Sequence, residues 1–120
     1  MTFILDHLGH NSGGDDFETW APAIADLAKR CPNVYAKLGA IEQWDTREPG
    51  PGAYLDHAIR EFGFDRVLAE SNWFVSTAMG FDYDDTFGKV MDALRRAGAT
   101  PAQVESVFEG NARRVYSIVD

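Results

Sequence analysis

Polar side chains close short apolar runs at three places in this sequence. Phe3-Ile4-Leu5 ends on Asp6-His7, the run from Val34 to Leu38 carries Lys37, and Val67-Leu68-Ala69 leads into Glu70-Ser71-Asn72-Trp73. Ligands of parallel sheets bind at the carboxyl ends of the strands, so these groups are where chemistry is expected. His7 falls in phase with Phe3 and Leu5. An imidazole there can bind a metal or act as a general base; the plain alternative is a histidine hydrogen-bonded to the adjoining loop. Lys37 interrupts an apolar strand, and a buried ammonium is costly unless paired. It therefore reaches a carboxylate or an anionic substrate, unless it snorkels from the strand end into solvent. Glu70 and Asn72 read as sharing one face of the third strand, where a carboxylate and an amide can hold a substrate or orient a water. The alternative for Asn72 is a loop-stabilising role. His7, Glu70 and Asn72 are the catalytic candidates, with His7 also the metal-ligand candidate. Lys37, Trp73 and His10 are the substrate contacts, although His10 by position alone reads as solvated. His57, between Asp56 and Arg60, reads as a surface residue.

The elements that must position these groups alternate strand and helix. After the first strand, the polar stretch Gly9 to Asp16 reads as a loop. Phe17, Trp20, Ile24, Leu27 and Ala28 then repeat at helical spacing, with Asp15 or Asp16 as N-cap and Pro32 as a stop. Asn33 to Leu38 reads as the second strand, Gly39 to Gly52 as a loop, and Tyr54 to Phe62 as a helix closed by Gly63. Arg66 to Glu70 reads as the third strand, followed by a loop from Ser71 to Asp82. Phe87, Val90, Met91 and Leu94 mark another helix. Thr100-Pro101-Ala102-Gln103 is a capping box that opens a further one, and a last helix is expected after Gly110. Such alternation predicts parallel βαβ units, with strands buried on both faces.

A complete (β/α)₈ barrel takes about 250 residues, so a chain of 120 residues supplies about half of one. It also opens directly on a strand, as though cut from a larger domain. Acidic residues outnumber Lys and Arg by 19 to 11, giving a formal charge of −8. That balance repels nucleic acid and anionic membranes, so neither is expected as a partner. The single Cys31 forms no internal disulfide, and no signal peptide or membrane-spanning run is present, which points to the cytoplasm. Phosphate-cradling, dinucleotide-binding and nucleophile-elbow motifs are all missing, as is any Cys or His cluster with zinc-site spacing.

Several segments resemble one family. Phe3-Ile4-Leu5-Asp6-His7-Leu8-Gly9 is similar to the Asp-His-Leu-Gly segment of the amidohydrolase-related (amidohydrolase 2) family of TIM-barrel metal-dependent hydrolases, which includes sugar-lactone and pyrone-dicarboxylate lactone hydrolases. Pro32 to Gly39 resembles its Pro-Asn-Val-x-x-Lys-Leu-Ser/Gly-Gly segment. Phe62 to Trp73 resembles Phe-Gly-x-Asp-Arg-x-x-x-Gly-Ser-Asp-Trp-Pro, and Asn111 to Tyr116 matches Asn-Ala-x-Arg-x-Tyr. The resemblance implies that residues 1–120 are the C-terminal portion of a barrel, its strands six to eight with the closing helices. It implies contact of His7 with metal or substrate, and hydrolysis of a lactone, ester or amide bond in a small carboxylated or sugar-derived molecule. A divalent metal such as zinc is implied for the full-length protein only, because a catalytic zinc needs about three protein ligands and the family's other histidines would lie upstream. The family's acid ending strand eight is replaced here by Asn72, its Gly by Glu70, and its Pro by Phe74. An amide cannot act as general base, so Glu70 is expected to take that role. The alternative reading is a non-catalytic half-barrel or ligand-binding relative that self-associates into homo-oligomers through exposed strand edges.

Overall fold

The computed structural model describes residues 1–9 and 16–120. Three parallel strands form one sheet in the order of the chain: β1 (Phe3–Leu5), β2 (Val34–Leu38) and β3 (Val67–Ala69). Phe3 pairs with Val34 and Leu5 with Ala36, while Ala36 and Leu38 pair with Val67 and Ala69. Glu70 extends the second ladder by donating its N–H to the Leu38 carbonyl at 3.2 Å. The crossovers are helices α1 (Phe17–Arg30) and α2 (Pro51–Phe62), and α4 (Tyr83–Arg96) follows the short α3 (Val75–Ala78).

Periodicity explains how the layers stack. Trp20, Ala21, Ile24 and Ala28 of α1 are buried, as are Tyr54, Leu55, Ala58, Ile59 and Phe62 of α2, so each helix turns one apolar stripe inward. Against them lie Val34, Ala36 and Leu38 of β2, all in one core cluster with the helix residues. The expectation of strands buried on both faces is only half met. Tyr35 and Lys37, on the opposite pleat, are only partly buried, and Phe3 is 53% exposed. Among the described residues, the helical layer covers one face of the sheet; the other is partly open at β1 and β2, while Leu68 of β3, which pairs with Lys37, is 3% exposed. This is the C-terminal portion of a (β/α)₈ barrel.

The chain ends differ in detail from the pattern reading. Helix α4 begins at Tyr83, directly after the expected loop, where Asp82 and Asp85 form a reciprocal capping box, but the four-residue α3 interrupts that loop. The expected break at Gly110 is absent. Helix α5 (Pro101–Glu105) runs through a π-helical turn, Ser106–Gly110, into α6 (Asn111–Val115), and Gly110 keeps helical angles.

Candidate active site

A strained turn presents His7. Both His7 (φ 53°, ψ 37°) and Leu8 (φ 54°, ψ 29°) adopt the left-handed conformation directly after β1. Such residues cost of order 1–3 kcal/mol each and persist only where the surroundings fix them. Here the Leu8 side chain is fully buried and its carbonyl accepts a hydrogen bond from Trp20 Nε1 at 2.8 Å. The turn brings His7 Nδ1 to 2.5 Å from Glu70 Oε1 at the end of β3. An ionised carboxylate only accepts, so Nδ1 is the donor, and in the neutral imidazole Nε2 then keeps its lone pair.

Lys37 joins the same group from β2, its Nζ 2.9 Å from Asp6 Oδ1 and 3.5 Å from Glu70 Oε2. Desolvation alone would lower its pKa, but the Asp6 hydrogen bond and the charge of Glu70 outweigh it and hold the ammonium above the ordinary lysine range. Asp6 is held below the usual carboxylate range by its hydrogen bond to Lys37. Glu70 occupies space that Gly39 leaves: a Cβ at position 39 would run into the Glu70 side chain and come within 2.8 Å of its carbonyl oxygen.

A second cluster lies beside the first. The turn Ile41–Trp44 carries Glu42, which is only 8% exposed. Asn72 Nδ2 donates to Glu42 Oε1 at 3.0 Å, and Ser76 Oγ donates to Oε2 at 2.9 Å. Asn72 is itself left-handed (φ 51°) and the Trp73–Phe74 peptide is cis. His7, Glu42, Gln43 and Asn72 line, with Val75 and Met79, a cleft of about 280 Å³. Two larger clefts, of about 420 and 600 Å³, lie away from the strand ends. In the first of these, Arg96 and Asp56 are already paired with each other.

The structure thus brings His7, Lys37 and Glu70 together. It corrects the shared face expected of Glu70 and Asn72. The strand ends at Ala69, and Asn72 turns to Glu42 while Glu70 turns to His7 and Lys37. Trp73 is 62% exposed, packs edge-on against Phe74, and is absent from the lining of the cleft. His10 lies outside the described residues. His57 is not a surface residue: it is 8% exposed, donates from Nε2 to the Ala21 carbonyl at 2.7 Å, and accepts from Arg60 at Nδ1. Its place in an aromatic cluster with Phe17 and Trp20 ties α2 to α1. Glu42 and Ser76 were not singled out from the sequence, since both sit in segments read as loops without periodicity. As for a metal, no group of three or more His, Cys, Asp or Glu able to hold one occurs among the described residues. His7 is a lone donor, so the residues present do not make a metal site by themselves.

The chain is similar to known proteins over nearly its whole length. A curated relative, an uncharacterized protein of Sinorhizobium fredii, is 27% identical over 123 residues, covering 98% of this chain and 39% of its own length. The crystal structure of an amidohydrolase from Burkholderia multivorans with bound zinc matches at a TM-score of 0.79 and 25% identity, over 98% of this chain and 44% of that one. Amidohydrolase 2 from Bifidobacterium longum subsp. infantis is 32% identical, with a TM-score of 0.63, over 98% of this chain and 41% of that one. The chain therefore spans less than half the length of these relatives. A family model described as amidohydrolase matches residues 1–118, and the chain belongs to that family.

Proposed function

We propose that this chain supplies strands six to eight, and part of the catalytic mouth, of a cytoplasmic hydrolase that cleaves a lactone, ester or amide bond in a small substrate. The observation that carries this reading is the His7–Glu70 contact of 2.5 Å on the wall of the cleft. A carboxylate at Nδ1 fixes the tautomer and ring orientation, leaving Nε2 to take a proton from water. As that proton transfers, the water oxygen bonds to the acyl carbon. The bond to the leaving oxygen or nitrogen then breaks, and the leaving group receives a proton. Glu70, engaged by His7 and Lys37, holds the imidazole and does not itself act as the base. A divalent metal such as zinc enters this reading only through ligands outside these residues.

Of the two substrate classes, a sugar-derived molecule fits the cleft better than a carboxylated one. Glu42 puts a negative charge on the wall, and the ammonium of Lys37 is already neutralised by Asp6 and Glu70. The test is steady-state hydrolysis of a panel of lactones and esters by the native protein that carries this chain. His7→Asn is expected to lower kcat by about 10²–10⁴-fold with little change in KM, the usual contribution of a positioned acid–base group. Glu70→Gln is expected to lower kcat by a smaller factor, about tenfold, because the ring stays in place without its charged partner. Unchanged turnover in His7→Asn overturns the assignment.

A further inference from the structure

Among the described residues, the Glu42 carboxylate has no cationic partner. It is 8% exposed, and its hydrogen-bond partners are the neutral donors of Asn72 and Ser76. No Lys, Arg or His among the described residues lies within ion-pair distance of it. Both partners donate, so the group is held as an acceptor. A carboxylate so deeply buried is normally matched by a cation, because neutral donors lower the desolvation cost without removing the charge. Each oxygen takes one hydrogen bond from the protein and retains capacity for another.

Glu42 also lines the cleft, together with His7 and Asn72, so its carboxylate borders the space that a substrate would fill.

We propose that Glu42 forms a subsite for a protonated amine of the substrate. An ammonium carries a positive charge and three donors, whereas a hydroxyl brings one donor and no charge. The subsite deepens the hydrolase reading above by naming a substrate class, and it is tested by binding, so that it stands or falls apart from turnover.

The probes are three γ-butyrolactones that differ only at the α-carbon, bearing an ammonium, a hydroxyl or a methyl group. Their affinity for the native protein carrying this chain is measured by calorimetry before any turnover is scored. The ammonium probe is expected to bind about tenfold or more tighter than either of the others, as a charge-assisted hydrogen bond predicts. In Glu42→Gln that preference is expected to collapse to within about twofold, while the methyl probe binds as before. The substitution keeps the local hydrogen bonds, since a glutamine can accept from Asn72 and donate to the Ser76 oxygen. Ser76→Ala is a second variant that retains the carboxylate and is expected to retain the preference. Equal affinities for the three probes, no binding of any, or a preference that survives Glu42→Gln each overturn the subsite. The expected binding pattern without hydrolysis overturns the hydrolase reading and leaves the subsite standing.

Discussion

At the scale of single residues, two departures from the family pattern are coupled to neighbours that accommodate them. Asn72 stands where the resemblance implies an acid, and its amide donates to Glu42 at 3.0 Å. An aspartate in its place would set two carboxylates at that distance, and they cannot both ionise without penalty. Asn72→Asp is therefore expected to lose about 1–3 kcal/mol of stability at neutral pH and to gain no turnover. Adding Glu42→Gln should restore most of the loss, because the new amide donates to the new carboxylate. Thermal unfolding of the two single variants and the double variant checks this, and an Asn72→Asp protein as stable as the parent would rule the coupling out. Glu70 is accommodated in the same way by Gly39, whose missing Cβ makes room for it. His7, Lys37 and Glu70 were legible in the sequence because strand ends concentrate polar groups under a general rule of parallel sheets. The Glu42–Asn72 bond was not, because it joins loop residues 30 positions apart that no local periodicity relates. His57 was misread because its flanking charges resemble a surface, whereas helical phase places it with Tyr54 and Ala58 on the buried side of α2.

At the scale of elements, the long periodic helices and the three strands were readable, and so was the capping box at Thr100. Both of its hydrogen bonds are present, Thr100 N–H to Gln103 Oε1 at 2.9 Å and Gln103 N–H to Thr100 Oγ1 at 3.3 Å. Less was readable where the local signal is weak. Helix α3 has only four residues, and the polar first turn of α4 carries no apolar positions to mark its start. The structure also divides the family-like motifs by what they do. Arg66 donates to the carbonyls of Ala28 at 2.9 Å, Cys31 at 3.1 Å and Val34 at 3.3 Å, fastening the end of α1 to the sheet. Asn111, fully buried, donates from Nδ2 to the carbonyls of Phe64 at 2.7 Å and Val67 at 2.8 Å, fastening α6 to β3. Arg114 donates to the Asp65 carbonyl and to Asn111 Oδ1. These residues are struts of the scaffold. Asn111→Ala leaves two buried carbonyls without that donor and is expected to cost about 2–4 kcal/mol, seen as a fall in Tm, with KM of the remaining folded enzyme unchanged. A loss below about 0.5 kcal/mol would remove Asn111 from this role.

At the scale of the whole molecule, the sheet is open at both sides. Among the described residues, strands β1 and β3 each pair with only β2, and Tyr35 and Lys37 are less covered than the β2 residues that face the helices. Phe3, Trp73, Phe74, Val75 and Met79 are about half exposed or more. Unpaired parallel edges beside apolar side chains favour association with further strands, and a closed barrel is the arrangement that removes such edges altogether. The net charge of −8 opposes crowding of identical copies, but at physiological salt such repulsion is screened beyond about 8 Å, while edge pairing acts at contact. Residues 1–120 expressed alone are therefore expected to sediment as dimers or larger species and to leave lactones and esters intact. The mouth of a (β/α)₈ barrel is built from eight strand ends, and these residues supply three. Analytical ultracentrifugation with a parallel hydrolysis assay decides the matter. A monodisperse 13.3 kDa species that turns over substrate would mean that the three strand ends form a sufficient site without the remainder of a barrel.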